Sequence, residues 1–221
     1  MKRRIYKQIL SGFLGFLLLI SLAGCGQSTA NSKPDQTMEA FYDLISKQDV
    51  SSMTDLGIDS SESKETLKTY QSSMISTIQK SFKNAGVAIS KAQAEDIFNA
   101  ISAKLSSLEY NVSVSNVDGK EATVKVSSQY INYLDLFKQA KQTTINELKP
   151  LHIEKLSDAK KQLVANVVDA FKNATVSTDM HSKTFKLKQQ KIKSGKNTIR
   201  IFFPEDYEEV GSKLTQIVTN Q

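Results

Sequence analysis

The sequence predicts an α+β fold, a twisted antiparallel sheet built from two hairpins and packed against several amphipathic helices. Apolar residues first recur at three- and four-residue spacing, the period of a helix with one buried face. Two later stretches switch to strict alternation, each around a turn dipeptide, the signature of a half-buried hairpin. Each hairpin has only one apolar face, and an isolated hairpin is marginal in water, so both need a shared partner. One sheet with helices on it meets that need.

The elements follow in order. Pro34 suits a first helical turn, and Met38, Phe41, Tyr42 and Ile45 share one face of the helix it opens. Val50, Met53 and Leu56 continue a less regular helical segment, and residues 57–63 read as a loop. A longer helix carries Leu67, Tyr70, Met74, Ile78, Phe82 and Ala85, with Gly86 as its stop. Ser90 followed by Gln93 has capping-box spacing and opens a helix whose apolar face is Ile97, Phe98, Ile101, Leu105 and Leu108. Tyr110, Val112 and Val114 then alternate with polar residues, Asp118-Gly119 turns the chain, and Ala122, Val124 and Val126 return. A helix pair comes next. Its first member carries Tyr130, Tyr133, Leu134, Phe137 and Ala140 and stops near Pro150; its second carries Leu156, Ala159, Leu163, Val167, Ala170 and Phe171. Phe185 and Leu187, a turn at Ser194-Gly195, and Ile199, Ile201 and Phe203 form the second hairpin. Pro204 starts a last helix, whose first turns hold Glu205, Asp206, Glu208 and Glu209, where acids complement the helix dipole.

The order helix, helix, hairpin occurs twice. Tyr110, Val112 and Val117 of one hairpin align with Phe185, Leu187 and Ile192 of the other. Read as a repeat, the domain at 34–221 divides into halves 34–129 and 130–221. Any two amphipathic hairpins would agree this far.

The N-terminus gives an address. Lys2, Arg3, Arg4 and Lys7 precede an apolar run from Ile9 to Leu22, which Gly12 and Gly15 interrupt, and Leu22-Ala23-Gly24 precedes Cys25, the one cysteine of the chain. A basic segment, a short apolar segment and small residues form a secretory signal peptide over 1–24; the run is short for a membrane span. Leu-Ala-Gly-Cys resembles the bacterial lipobox. That resemblance implies alkylation of the Cys25 thiol by a diacylglyceryl group, cleavage before it, and a palmitate-type lipid anchor in the cell membrane on the extracytoplasmic face. Two acyl chains on one residue suffice for stable anchoring. Residues 25–33 then read as the lipidated cysteine and a flexible polar tether. Residues 1–24 hold four of the 29 basic residues and none of the 23 acidic ones, so the chain from Cys25 carries 25 basic against 23 acidic, a net charge of +2. The basic balance therefore gives no reason to expect nucleic acid as a partner.

Little in the chain points to catalysis. It has two histidines, His152 and His181, and no nucleophile-elbow, zinc-protease or phosphate-loop motif. His152-Ile153-Glu154 has the spacing of a zinc deaminase motif but lacks the paired cysteines. Glu95-Asp96 reads as a solvated helical face, and Asp55, Asp59 and Glu62 lack the pattern of a calcium loop. No enzymatic activity, no metal and no cofactor are expected. Two features invite binding. Tyr130, Tyr133 and Phe137 either line a ligand pocket between helix and sheet or pack into the core. Between Lys183 and Arg200 there are seven basic residues and no acid. Of these, Lys186, Lys188, Lys191 and Lys193 either contact anionic envelope material or protect a solvated sheet.

The lipobox, the helix at Met38, Phe41 and Ile45, and the helices and hairpins together resemble small lipoproteins of Gram-positive bacteria that carry domains of unknown function. The resemblance implies a nuclear-transport-factor-2-like or cystatin-like α+β fold, in which a curved sheet wraps a helix. The helix pair between the hairpins departs from that pattern, and the resemblance supplies no catalytic residues. The expected function is a membrane-anchored, non-enzymatic binding or interaction module at the envelope, with an envelope protein or an anionic wall polymer as partner. The alternative is a lipoprotein binding a small molecule, or a weakly marked enzyme, with a pocket between sheet and helices.

Overall fold

The structure is a computed structural model and describes residues 28–151 and 156–221. Residues 1–24, read from the sequence as a signal segment, lie outside the described residues, as do Cys25, His152 and Glu154.

Among the described residues, seven α-helices and a sheet form the expected α+β architecture. The strands are β1 (Ser28–Asn31), β2 (Tyr110–Asp118), β3 (Glu121–Ser128), β4 (His181–Ser194) and β5 (Asn197–Pro204). The helices are α1 (Pro34–Tyr42), α2 (Ser51–Asp55), α3 (Ser60–Asn84), α4 (Lys91–Leu105), α5 (Tyr133–Leu148), α6 (Leu156–Lys172) and α7 (Tyr207–Thr219). The strand order is β1-β5-β4-β3-β2. The two hairpins join through antiparallel β3 and β4, and β1 adds to β5 in parallel. Ser28–Asn31, part of the segment read as a tether, thus lie along the edge of the sheet.

Local signals act where the sequence places them. Ser90 Oγ accepts from the Gln93 amide at 3.1 Å, and the Ser90 amide donates to the Gln93 side chain at 2.9 Å, closing the capping box. Gly119 and Gly195 adopt φ of +59° and +55° at the two hairpin turns, where a side chain would be strained. Three boundaries differ from expectation. The Asp59 carboxylate caps Ser61, so α3 starts inside the expected loop. Tyr130 precedes α5 instead of lying within it, because the chain at 129–131 is still hydrogen-bonded to other segments: Gln129 to Glu109, Ile131 to Val218. Pro204 ends β5, and α7 begins at Tyr207.

Strand β4 serves two neighbours. Residues 181–188 pair with β3, and residues 187–194 pair with β5. Its buried positions change parity along the way: Phe185 and Leu187 are buried in the first half, Ile192 and Ser194 in the second. Successive strand residues point to opposite faces, so the buried face switches near Gln189 and Gln190. In the first half the covered face joins Ala122, Val124, Val126, Phe185 and Leu187 to the helices. In the second half the opposite face is covered, where Ile192, Ile199, Ile201 and Phe203 meet Phe41 and Ile58. Phe202 still points into the main core. Strand β5 is therefore buried on both sides from Ile199 to Phe203, apart from half-exposed Arg200.

Candidate functional site

Among the described residues, four places hold concentrated polar or concave geometry. The first is a network that fastens α1 to the sheet. After Tyr42 the helix widens into one π-helical turn, Asp43–Lys47, and Gln48 closes it in the left-handed region. Such a turn shifts side-chain phase and often marks a functional segment. Here it directs Asp43 at β2. The Asp43 carboxylate, only 7 % exposed, accepts from the Tyr110 hydroxyl at 3.0 Å and the Ser52 hydroxyl at 2.6 Å. Lys47 Nζ lies 3.0 Å from the same carboxylate and 4.4 Å from the centre of the Tyr110 ring. Tyr42 stacks on Tyr110 at 4.0 Å, and its hydroxyl shares a 2.6 Å hydrogen bond with Ser128. Burial and the neighbouring Asp43 raise the Tyr110 phenol above its ordinary value, so it stays a proton donor. Every oxygen of Asp43 has a partner, and the network holds helix, turn and both strands of the first hairpin in register. Sequence reasoning missed Asp43, because a helical period carried through 42–47 without a π turn does not direct it at the sheet.

The second is a latch at the tip of the second hairpin. Ser194 Oγ donates to the Glu62 carboxylate and accepts from the Asp59 amide at 2.7 Å, and the Gly195 amide donates to Glu62 at 3.0 Å. The start of α3 is thereby tied to the turn between β4 and β5.

The third is an open groove of about 620 Å³ between α4 and α6. Ala100, Ala103, Val164 and Val168 form its floor, and Asp96, Lys161, Asp169 and Lys172 stand at its rim. A smaller apolar cavity between α1, α2 and β5 has a volume of about 20 Å³, room for about one water molecule.

The sequence-predicted residues fall as follows. Tyr133 is 6 % exposed and meets Phe137 and Phe171 with ring centres 5.1 and 5.2 Å apart, while Phe137 meets Phe82 at 6.0 Å. These rings are packed on one another, and burial raises the Tyr133 phenol. Tyr130 is separate from them and stacks on His181 at 4.1 Å. Lys186, Lys188, Lys191 and Lys193 of β4 are all exposed but do not share a face. Lys186 and Lys188 lie on the open face of the first half, with Thr123 and Glu121 opposite them. Lys188 Nζ is 3.9 Å from Glu121. Lys191 and Lys193 lie on the other face, opposite Arg200 and Thr198. Among the described residues, no group of three or more histidine, cysteine or acidic side chains is placed to hold a metal. Among them, too, no helix is long and apolar enough to cross a membrane.

No protein-family model matches the chain, and no curated protein matches it. Among solved structures, its fold is similar to that of a "putative lipoprotein (ycdA)" from Bacillus subtilis subsp. subtilis str. 168, with a TM-score of 0.61 at 13 % identity. The match covers 84 % of this chain and 55 % of that one, so the chain spans about half the length of that protein. At this identity the likeness speaks for the fold.

Proposed function

We propose that the chain is an extracytoplasmic lipoprotein, held to the cell membrane by lipid on Cys25, that acts as a non-enzymatic interaction module at the envelope. The observation that carries the anchor is Leu22-Ala23-Gly24-Cys25 behind a basic and apolar leader. The likeness in fold to the Bacillus subtilis protein supports the same reading. Support for the interaction role comes from the groove between α4 and α6. Its volume of about 620 Å³ is in the range of binding clefts. Its alanine and valine floor between charged rims suits the apolar face of an amphipathic helix from a second envelope protein.

Two experiments test the two parts. Cys25→Ala should abolish incorporation of labelled palmitate and release the protein from the membrane fraction; retention of the label would contradict the anchor. A photo-crosslinking residue placed at Ala103 in the groove should capture a discrete partner in intact cells. The same residue at Thr184, on the open sheet face, should not. Equal capture from both positions, or none from Ala103, would contradict the interaction role.

A further inference from the structure

The structure places the start of the described chain beside the basic end of the second hairpin. Ser28 pairs with Thr198 of β5, and Thr198 pairs with Lys193 of β4. Lys193 therefore lies two strand spacings from Ser28, roughly 10 Å. Cys25 is three residues before Ser28, and three residues reach at most about 11 Å. A lipid on Cys25 thus holds this corner of the sheet close to the headgroups, whichever way the intervening residues run.

The charges at that corner are unusual for a sheet. Lys191 stands directly across from Arg200, and Lys193 is the next residue on the same open face. Like charges directly opposite one another destabilise a sheet. Lys196 in the turn adds a fourth cation, exposed like Lys191 and Lys193, whereas Arg200 is half-exposed. Among the described residues, none of these four has an ion-pair partner, whereas Lys188 is paired with Glu121. The carboxylates of Asp59 and Glu62 lie against the same turn and offset part of this charge, two acids against four cations, without forming an ion pair with any of the four. These carboxylates bond to Ser61, Ser194 and Gly195, and Ser194 points to the covered face of the strand. At the other end of the hairpin, Glu205 and Asp206 follow β5, and the Glu205 amide bonds to the carbonyl of Lys186. The hairpin is thus basic at its tip and balanced at its base.

We infer that Lys191, Lys193, Lys196 and Arg200 form the surface that rests on anionic phospholipid headgroups and so sets the orientation of the anchored domain. This rests on the reading of Cys25 as the lipid anchor. A short tether and a basic patch at its root act together, since one basic residue near an anionic surface is worth about fivefold in occupancy. That attraction fades within ~8 Å at physiological salt. In this orientation Lys186 and Lys188 lie away from the membrane with the base of the hairpin.

The test uses the lipidated chain reconstituted into vesicles of equal parts phosphatidylcholine and phosphatidylglycerol, or of phosphatidylcholine alone. Because Cys25 is the one native cysteine and carries the lipid, Lys196→Cys or Lys188→Cys supplies a single free thiol for a fluorophore. Headgroup-labelled lipid serves as quencher. The expected result is stronger quenching at 196 than at 188 in the anionic vesicles. It should fall in phosphatidylcholine, and on adding Lys191→Glu and Lys193→Glu. Flotation of the protein with equal quenching at both sites would overturn the orientation while leaving the anchor intact. Failure to float would overturn the anchor and the orientation with it. Equal quenching at 196 in anionic and in phosphatidylcholine vesicles, with binding of soluble polyglycerol phosphate that Lys191→Glu and Lys193→Glu abolish, would assign the patch to a wall polymer and overturn the lipid contact.

Discussion

The two hairpins look alike as strings of residues and differ as structures. Val117 of the first and Ile192 of the second occupy matching positions in the apolar alternation, yet Val117 is 52 % exposed and Ile192 is 2 % exposed. A bulge between Val114 and Asn116 keeps Val114 and Val117 on the same face of β2, but β2 is the edge strand, and cover stops at its neighbour β3, where Ala122 opposite Val117 is buried. The second hairpin is gripped at the corresponding end. Ile58 and Phe41 cover its apolar face, and Glu62 holds its turn. An amphipathic hairpin is therefore buried only where another element reaches it. In this chain the element that reaches the second tip is the start of α3.

Truncation should separate the hairpins most sharply. Ile199→Ala, inside the second, is expected to cost about 2–5 kcal/mol, measured by urea unfolding. Val117→Ala, at the free end of the first, should stay within about 0.5 kcal/mol. Equal losses would mean that the first hairpin is covered in solution. The latch comes next. Ser194→Ala removes the hydroxyl that links Asp59 and Glu62, and should cost about 1–3 kcal/mol. Hydrogen exchange should quicken at the turn 194–197 and not at 118–121.

The hairpins themselves were legible, because alternation and a turn dipeptide are local. The capping box at Ser90 and Gln93 was legible for the same reason. Which face of β4 is buried was not. Lys186, Lys188, Lys191 and Lys193 read as one basic stretch, but the reversal of the covered face at Gln189 and Gln190 divides them between two sides of the sheet. That reversal depends on Phe41 of α1 and Ile58 meeting β5, contacts between residues more than a hundred positions apart. The π turn that aims Asp43 at Tyr110 was hidden likewise, since a helical period read through it points that side chain elsewhere. Tyr133 and Phe137 were correctly placed on one helix. Their contacts with Phe82 and Phe171 come from two other helices and leave no local mark.

The aromatic cluster between α3, α5 and α6 offers a smaller, pH-dependent effect. Burial raises the Tyr133 phenol above its ordinary value of 10.0, so the native state binds that proton more tightly than the unfolded chain. The corresponding stability is whole below pH 10 and is lost as pH rises through the raised value. Tyr133→Phe should make the alkaline loss of stability shallower without altering it near neutrality, as followed by thermal melts across pH.

The smallest effects should differ in sign between the two halves of β4. Lys188→Gln removes an exposed pair with Glu121 and should destabilise by less than about 1 kcal/mol. Lys191→Gln removes a like-charge neighbour of Arg200 and should stabilise by a few tenths, roughly 0.2–1 kcal/mol, in unanchored protein at low salt. The same sign for both would remove the electrostatic distinction between the two halves.

The proposed anchor makes a lipidated Cys25 the first residue of the domain, a few residues from the sheet edge. The most direct test is the intact mass, with N-terminal fragmentation, of the protein purified from the membranes of its own cells. The expected mass shows loss of residues 1–24 and a diacylglyceryl group on Cys25. An unmodified cysteine, or a chain beginning anywhere else, would contradict it.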